Sequence, residues 1–470
     1  MARNARPPAR WNRAEQALWH AYRRGSELDL APSDHRQIRA GTIAQLLSET
    51  SPIEPGRAPK LSLSGARVSG FLDLSAAHVQ APLRFHRCHF EERLVLDSAR
   101  FAYLSLSECQ LPEISGLSVQ VDQWLGLPDS HVAGEVQLFN ARIGGTAEFD
   151  GSTIDGALTL GRVVVEGSLH LRRQCEINGK LRLKGARIGG ALLAHGLTVH
   201  GVINAIGAHV EDGLSLIDVT LDHPGDWGLI LAEAQTLKAV LRLNRSSAGA
   251  VSLRDSHVGR WGTNVREWPE ACPVDLTGFT YDRLSEQTGG ATRPTVEEQL
   301  AWIQSYGVLD GYPRPTQSPS FTPRPYEQLA RALRADGREQ EARRALRSKE
   351  RLRHRAMGPL GSIWGVIQDV TVGFGYRPGH ALAWLVAVLT AATVYFAQVG
   401  PLPRATPSAG PAWDPFLYTL DILIPLLNLG HDTAWNPTGW AKTVTVLLMV
   451  TGWVLVTTVI AGVGRALKRQ

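Results

Sequence analysis

One phrase of about ten residues recurs through the first two thirds of the chain: LSLSGARVSG at 61–70, VQLFNARIGG at 136–145 and LRLKGARIGG at 181–190, with looser copies at 71–80 and 251–260. Self-similarity of this kind restricts a chain to stacked units, because a single short unit cannot bury its own apolar face. The spacing sets the unit: Leu61, Leu72, Leu83 and Leu94 step by 11, as do Ala147, Leu158 and Leu169. Apolar residues alternate within each phrase (Leu61 and Leu63, Val136 and Leu138, Leu181 and Leu183), the two-residue period of a short strand with one face inward. The following Gly-Ala-Arg-Ile or its equivalent supplies a corner. Ala66, Ala141 and Ala186 are small enough for the inside of a tight bend, and Gly70, Gly144 and Gly189 permit backbone angles that other residues resist.

The expected fold is therefore a mainly β solenoid over 61–284, a right-handed β-helix of pentapeptide-like type whose full coil is about two phrases. Cys88 and Cys109, 21 residues apart, are expected as small inward-facing residues stacked in neighbouring coils. Two stretches interrupt the phrase, 122–135 and 222–228, and their Trp, Pro and Asp suggest loops leaving the coil. Loops on rigid repeat scaffolds carry binding residues, so Trp124 and Trp227 are candidates for a recognition surface.

A solenoid needs both open ends covered, since a terminal coil exposes unpaired backbone groups. Residues 1–60 are read as a helical cap, with helices over 12–24 (Ala14, Leu18 and Ala21 on one face) and 36–48. Trp261, Trp268 and Tyr281 are expected to plug the other end. Residues 285–325 are a Pro/Ser/Thr-rich linker containing one short helical stretch. Residues 326–357 then form a basic helical hairpin broken at Asp336-Gly337, similar to one tetratricopeptide-like unit, which docks on the solenoid's end or lies against phospholipid. Its candidate membrane-surface residues are Arg343, Arg344, Arg347, Arg351, Arg353 and Arg355.

The remainder, 358–470, is a membrane domain with a C-terminal pair of spans. Segments 381–399 and 441–463 are apolar and long enough to cross roughly 30 Å of hydrocarbon. The segment 360–374 reads as an interfacial helix, and 414–430 as a re-entrant or external helix. Basic residues are dense before the first span and after the second, while the loop between holds only Arg404 plus Lys442 near the helix start. That asymmetry places both termini in the cytoplasm, and the basic N-terminus has no apolar core segment of a cleavable signal peptide. Asp421, Pro425, Gly430, His431 and Asp432 are the candidate residues for a pore or external-loop function, because ionisable groups at membrane depth are costly unless they serve a role.

Other chemistry has little support. Residues 324–355 carry eleven basic and five acidic groups, but no nucleic-acid-binding signature accompanies them. No GxGxxG or phosphate-binding loop occurs outside the corner glycines, and four cysteines without a CxxC pair give no zinc or iron–sulfur site. His86, Cys88 and His89 could mimic a metal cluster, but strand alternation sends neighbours to opposite faces. The other histidines, His170 and His195 among them, are scattered. No catalytic, cofactor or metal residue is assigned.

The repeats, the closing phrase VDLTGFTYDRL, PYEQLARALRADGREQEARRAL, VGFGYRPG before a span and TLDILIPLLNLGHDTAW between spans carry a resemblance. Over nearly the whole chain the sequence resembles a family of actinobacterial pentapeptide-repeat-like membrane proteins often labelled "membrane-associated oxidoreductase". Seven lysines against forty-two arginines fit a high-GC genome. The expected function is a bacterial inner-membrane anchor presenting a cytoplasmic solenoid as a binding or scaffolding module, with lipid and a protein partner or self-association, and no nucleic acid. The alternatives are an oligomeric two-span pore with the solenoid as sensor, and the oxidoreductase that the resemblance implies.

Overall fold

The computed structural model describes residues 7–48, 58–285, 287–288, 291–306, 322–356, 378–405, 411–424 and 426–467. The chain divides into two compact units, Met1–Ala342 and Arg343–Gln470. The expected interfacial helix at 360–374, residues 307–321 of the linker and Pro425 lie outside the described residues.

The first unit is a parallel β-solenoid. A representative coil contains four short strands, β3 (Leu61–Ser64), β4 (Arg67–Ser69), β5 (Leu72–Asp73) and β6 (His78–Val79), after which Leu83 stacks on Leu61. The same position continues through Leu104, Leu125, Ala147, Leu169, Leu192 and Leu214 to Ala239, Trp261 and Leu284. It advances by 21 to 23 residues per coil, except for 25 between Leu214 and Ala239. Two phrases of 11 thus make one coil, as the sequence spacing predicts. Apolar residues of every coil stack inward: Leu61, Leu63, Val68, Leu72, Leu83 and Phe85 are all buried.

Two corners of most coils place a residue in the left-handed region. One column holds Gly65, Arg87, Glu108, Asp129 and Gly151; the other holds Ala76, Ser98, Ser118, Asn140 and Gly185. The residue after several of these is small and buried, Ala66, Ala141 and Ala186 included, as expected. The role assigned to the later glycines needs correction. Gly70 does adopt positive φ (+81°), but Gly144 and Gly189 do not; they are glycine because a Cβ would lie 2.2 Å from the Asp122 carbonyl oxygen and 2.5 Å from that of Glu166. Close stacking of coils, not backbone freedom, excludes a side chain there.

The N-terminal cap is partly built from the solenoid itself. Strand β1 (Glu27–Asp29) pairs in parallel with β3, and β2 (Gln37–Arg39) with β4. The second expected helix is therefore shorter: 37–39 extends the sheet, and α2 spans Ala40–Ser48. Helix α1 (Arg13–Arg24) starts with a reciprocal capping box between Asn12 and Glu15 and buries Ala14, Leu18, Trp19 and Ala21. The Glu15 side chain is fully buried, and its carboxylate also accepts from Arg39 and Thr42, tying α1 to the β2–α2 junction.

At the far end Trp261, Trp268 and Tyr281 are buried, as expected of a plug. Helix α3 (Val296–Tyr306) brings Trp302 edge-on to Trp268 at 5.3 Å. Helix α4 (Arg324–Ala335) packs on the last strand of the solenoid sheet, Thr280–Leu284, where Gln328 donates to the Tyr281 carbonyl. The chain turns at Asp336-Gly337 into α5 (Glu339–Ala356).

In the second unit α6 (Pro378–Val399) and α9 (Trp440–Leu467) are long and apolar enough to cross a membrane. Between them lie α7 (Pro415–Leu423) and the short α8 (His431–Ala434). The expected helix over 414–430 is thus cut short. It begins at the Asp414 cap, which accepts from Phe416 and Leu417 N–H, and its helical backbone ends at Leu423. Phe396, Tyr418, Ile422, Leu423, Trp435 and Leu448 form the shared core of these helices.

Candidate functional site

The structure places the two tryptophans singled out from the sequence in different settings. Residues 122–135 stay in the coil: Leu125–Gly126 and His131–Val132 pair with the coils on either side. Trp124 lies flat over Gly126, where a Cβ would meet its ring at 2.2 Å, and stacks on Tyr103 at 5.1 Å; the Arg84 guanidinium in turn covers Tyr103. The ring packs onto the solenoid wall. Residues 222–226 do bulge from the coil, at the register shift between Asp222 and Trp227, but Trp227 itself is buried against Ala250, Val202 and Ile230. It anchors the bulge and faces inward.

The solenoid surface offers a different feature. Gln120, Arg142, Val164 and Arg187 occupy one outward column in successive coils, with Asp122, Gly144 and Glu166 two residues further on. The missing side chain at Gly144 and the short Val164 leave a notch of about 410 Å³ lined by Arg142, Arg187, Glu166 and Asp122. Asp122 is engaged by Arg100 at 3.0 Å, whereas Arg142 and Arg187 are exposed and enter no ion pair among the described residues. Their backbones are two coils apart, roughly 9.5 Å, so the two guanidinium groups can reach one acidic group seated over Val164.

A second cluster forms where sequence showed only scattered histidines. Buried Asp150 accepts from the Arg172 backbone and guanidinium, and Arg172 reaches His170 at 3.1 Å. One coil on, the His195 ring lies 2.8 Å from the Ser215 hydroxyl. Burial, and then the Arg172 charge, lowers the affinity of both imidazoles for a proton below the ordinary histidine value. Among the described residues this is the shortest contact between a histidine ring and a hydroxyl. Its second ring nitrogen has no carboxylate bonded to it among the described residues, and the pair sits on an outer strand column, so it lacks the third group of a hydrolytic arrangement. Asp150, Arg172 and Ser215 carry no motif that would have marked them in the sequence.

The cysteines are explained by position. Cys88, Cys109, Ser130 and Ser152 occupy one corner in successive coils, and each side chain donates to a carbonyl of the preceding coil, that of Leu63, Phe85, Leu106 and Leu127 in turn. All four cysteines are free and buried. Burial pushes Cys175 and Cys272 up to about 12, far from a reactive thiolate. Among the described residues no group of three or more His, Cys, Asp and Glu side chains could hold a metal ion.

Between the apolar helices Asp421, Gly430, His431 and Asp432 converge. Asp421 is buried, and its two carboxylate oxygens accept from the backbone N–H groups of Leu429 (2.8 Å), His431 (2.8 Å) and Asp432 (3.0 Å). Gly430 supplies the left-handed turn (φ +74°) ahead of α8. The carboxylate is thus spent on pinning the segment 429–432 to α7. The six arginines of the basic helix all lie on α5; Arg344, Arg351, Arg353 and Arg355 are exposed, and Arg343 and Arg347 half-buried. No family model, curated protein or solved structure matches this chain.

Proposed function

We propose that this protein is a membrane-anchored scaffold of the bacterial inner membrane, with the solenoid and both termini in the cytoplasm and no catalytic role. The observation that carries the anchor is the outward face of α6 and α9. Their apolar windows average hydropathies of 1.8 and 1.5, yet only 11% and 28% of those residues are buried. Leu382, Val386, Val394, Val446, Leu447, Val450 and Val454 are exposed, an arrangement that lipid stabilises and water does not. Arginines flanking the spans support the cytoplasmic orientation, and those of α5 suit an anionic lipid surface.

The solenoid supplies a rigid face on which the notch between Arg142 and Arg187 is the contact for an acidic group of a protein partner. The pore reading is weaker, because Asp421 is occupied by three backbone donors instead of facing a conduction path. The test combines topology and binding. Alkaline phosphatase fused after Arg404 should be active, and a fluorescent protein fused after Gln470 should fluoresce; the reverse pattern refutes the orientation. Full-length protein purified in mild detergent should carry a stoichiometric companion that the Arg142→Glu/Arg187→Glu double variant loses. A homotetramer with ion flux and no companion would replace the scaffold with the pore, and flavin or haem absorbance would replace it with the oxidoreductase.

A further inference from the structure

The notch between Arg142 and Arg187 belongs to a longer pattern on the same wall of the solenoid. In one outward column arginine returns at every second coil, Arg100, Arg142 and Arg187, with Gln120, Val164 and His209 in the coils between. Two residues further along each coil, a second column carries acids in those intervening coils, Asp122, Glu166 and Glu211. Beside the arginines it carries only small residues, Ala102, Gly144 and Gly189. Neighbouring coils lie about 4.8 Å apart, so each sign of charge recurs every ~9.5 Å along the wall. Arg100 and Asp122 close an ion pair at 3.0 Å. Arg142, Glu166, Arg187 and Glu211 are exposed and form none among the described residues, although each has an opposite charge one coil away.

Both signs restrict what this wall can receive. A uniformly acidic surface brought to Arg142 and Arg187 meets Glu166 between them. The matching surface sets acids against the arginines and arginines against the acids at the same spacing, and this wall is itself such a surface. Turned about a two-fold axis that runs along the solenoid midway between the columns, a second copy lays its arginine column over the acid column of the first, coil against equal coil. Its Arg142 then faces Gly144 between Asp122 and Glu166, and its Arg187 faces Gly189 between Glu166 and Glu211. Its Glu166 sits over Val164, between Arg142 and Arg187. The long side chains thus meet positions that hold none, because a Cβ at Gly144 or Gly189 would strike the preceding coil. A two-fold axis across the coils would instead lay arginine on arginine. We propose that a second copy of this chain docks in parallel on this wall, its arginines filling the recesses at Gly144 and Gly189. The inference rests on the notch being a protein contact and names the partner.

The test uses two charge-reversed forms of the full chain, tagged differently and purified in mild detergent. Arg142→Glu/Arg187→Glu leaves the two columns acidic from Asp122 to Glu211, and Glu166→Arg/Glu211→Arg leaves them basic from Arg142 to residue 211. Wild type should give a native mass of two chains, and each variant alone should associate at least about tenfold more weakly. Co-expressed, the two variants should form a mixed pair carrying both tags, which also shows that both fold. Absence of the mixed pair while each variant keeps the β-rich circular dichroism of wild type would overturn the proposal. A wild-type chain found alone or with a different protein overturns the second copy, and loss of that different protein from Arg142→Glu/Arg187→Glu leaves the protein contact standing. A dimer retained by that variant alone refutes both.

Discussion

Replacing Glu15 by Gln removes a buried charge that ties the N-terminal cap together. The carboxylate is fully buried, and desolvation alone would raise its pKa. Hydrogen bonds from the Arg39 guanidinium, from the backbone N–H groups of Asn12 and Arg39 and from the Thr42 hydroxyl overcome this and hold it at about 2, against an ordinary 4.5. A depression of that size corresponds to roughly 3 kcal/mol favouring the charged folded form. Gln keeps one acceptor, and Arg39 is half exposed and recovers solvation, so the expected cost near neutral pH is about 2 kcal/mol, or a roughly 30-fold rise in local opening. Because the folded pKa is depressed, this contribution is present above pH 4.5 and fades as the pH falls towards 2. Hydrogen exchange read by mass spectrometry on peptides from α1 measures the opening directly in the full chain. Equal exchange in wild type and Glu15→Gln at pH 7, or a difference that persists unchanged at pH 3, would refute the reasoning.

Three further outcomes follow from the packing. In Gly452→Ala the new Cβ would lie 2.0 Å from the Leu423 carbonyl oxygen, which backbone cannot easily vacate, so α7 should be displaced from α9 and the detergent-solubilised protein destabilised by about 1–3 kcal/mol, with a lower melting temperature; an unchanged melting temperature would contradict the helix contact. Asp421→Asn loses the charge and one of the two acceptor oxygens that together serve three backbone donors, at a cost of about 2–3 kcal/mol, and limited proteolysis should become faster within 426–434. Cys109→Ser should be nearly neutral, within about 1 kcal/mol, because Ser130 and Ser152 already fill the equivalent corner, and native protein at pH 7.5 should resist maleimide until unfolded.

Much of the solenoid is legible in the linear chain because its controlling interactions are local. The 11-residue step, the alternation of Leu61 with Leu63 and the small residue at Ala66 each concern neighbours within one strand or corner, where pleat and turn sterics act within a few residues. The apolar length of α6 and α9 is likewise a local property. What tertiary structure decided concerns residues one coil apart. Gly144 is glycine because of the Asp122 carbonyl 22 positions earlier, Cys109 and Ser130 make the same bond to the preceding coil because they occupy one column, and the notch exists because Arg142 and Arg187 flank Val164 across three coils. Trp124 and Trp227 looked alike as breaks in the phrase, yet one coil keeps its register and stacks its ring on Tyr103, while the other shifts register and buries its ring. A pattern along the chain specifies which residues turn inward, but side-chain partners depend on the register between coils, and a few inserted residues change that register without altering the local phrase.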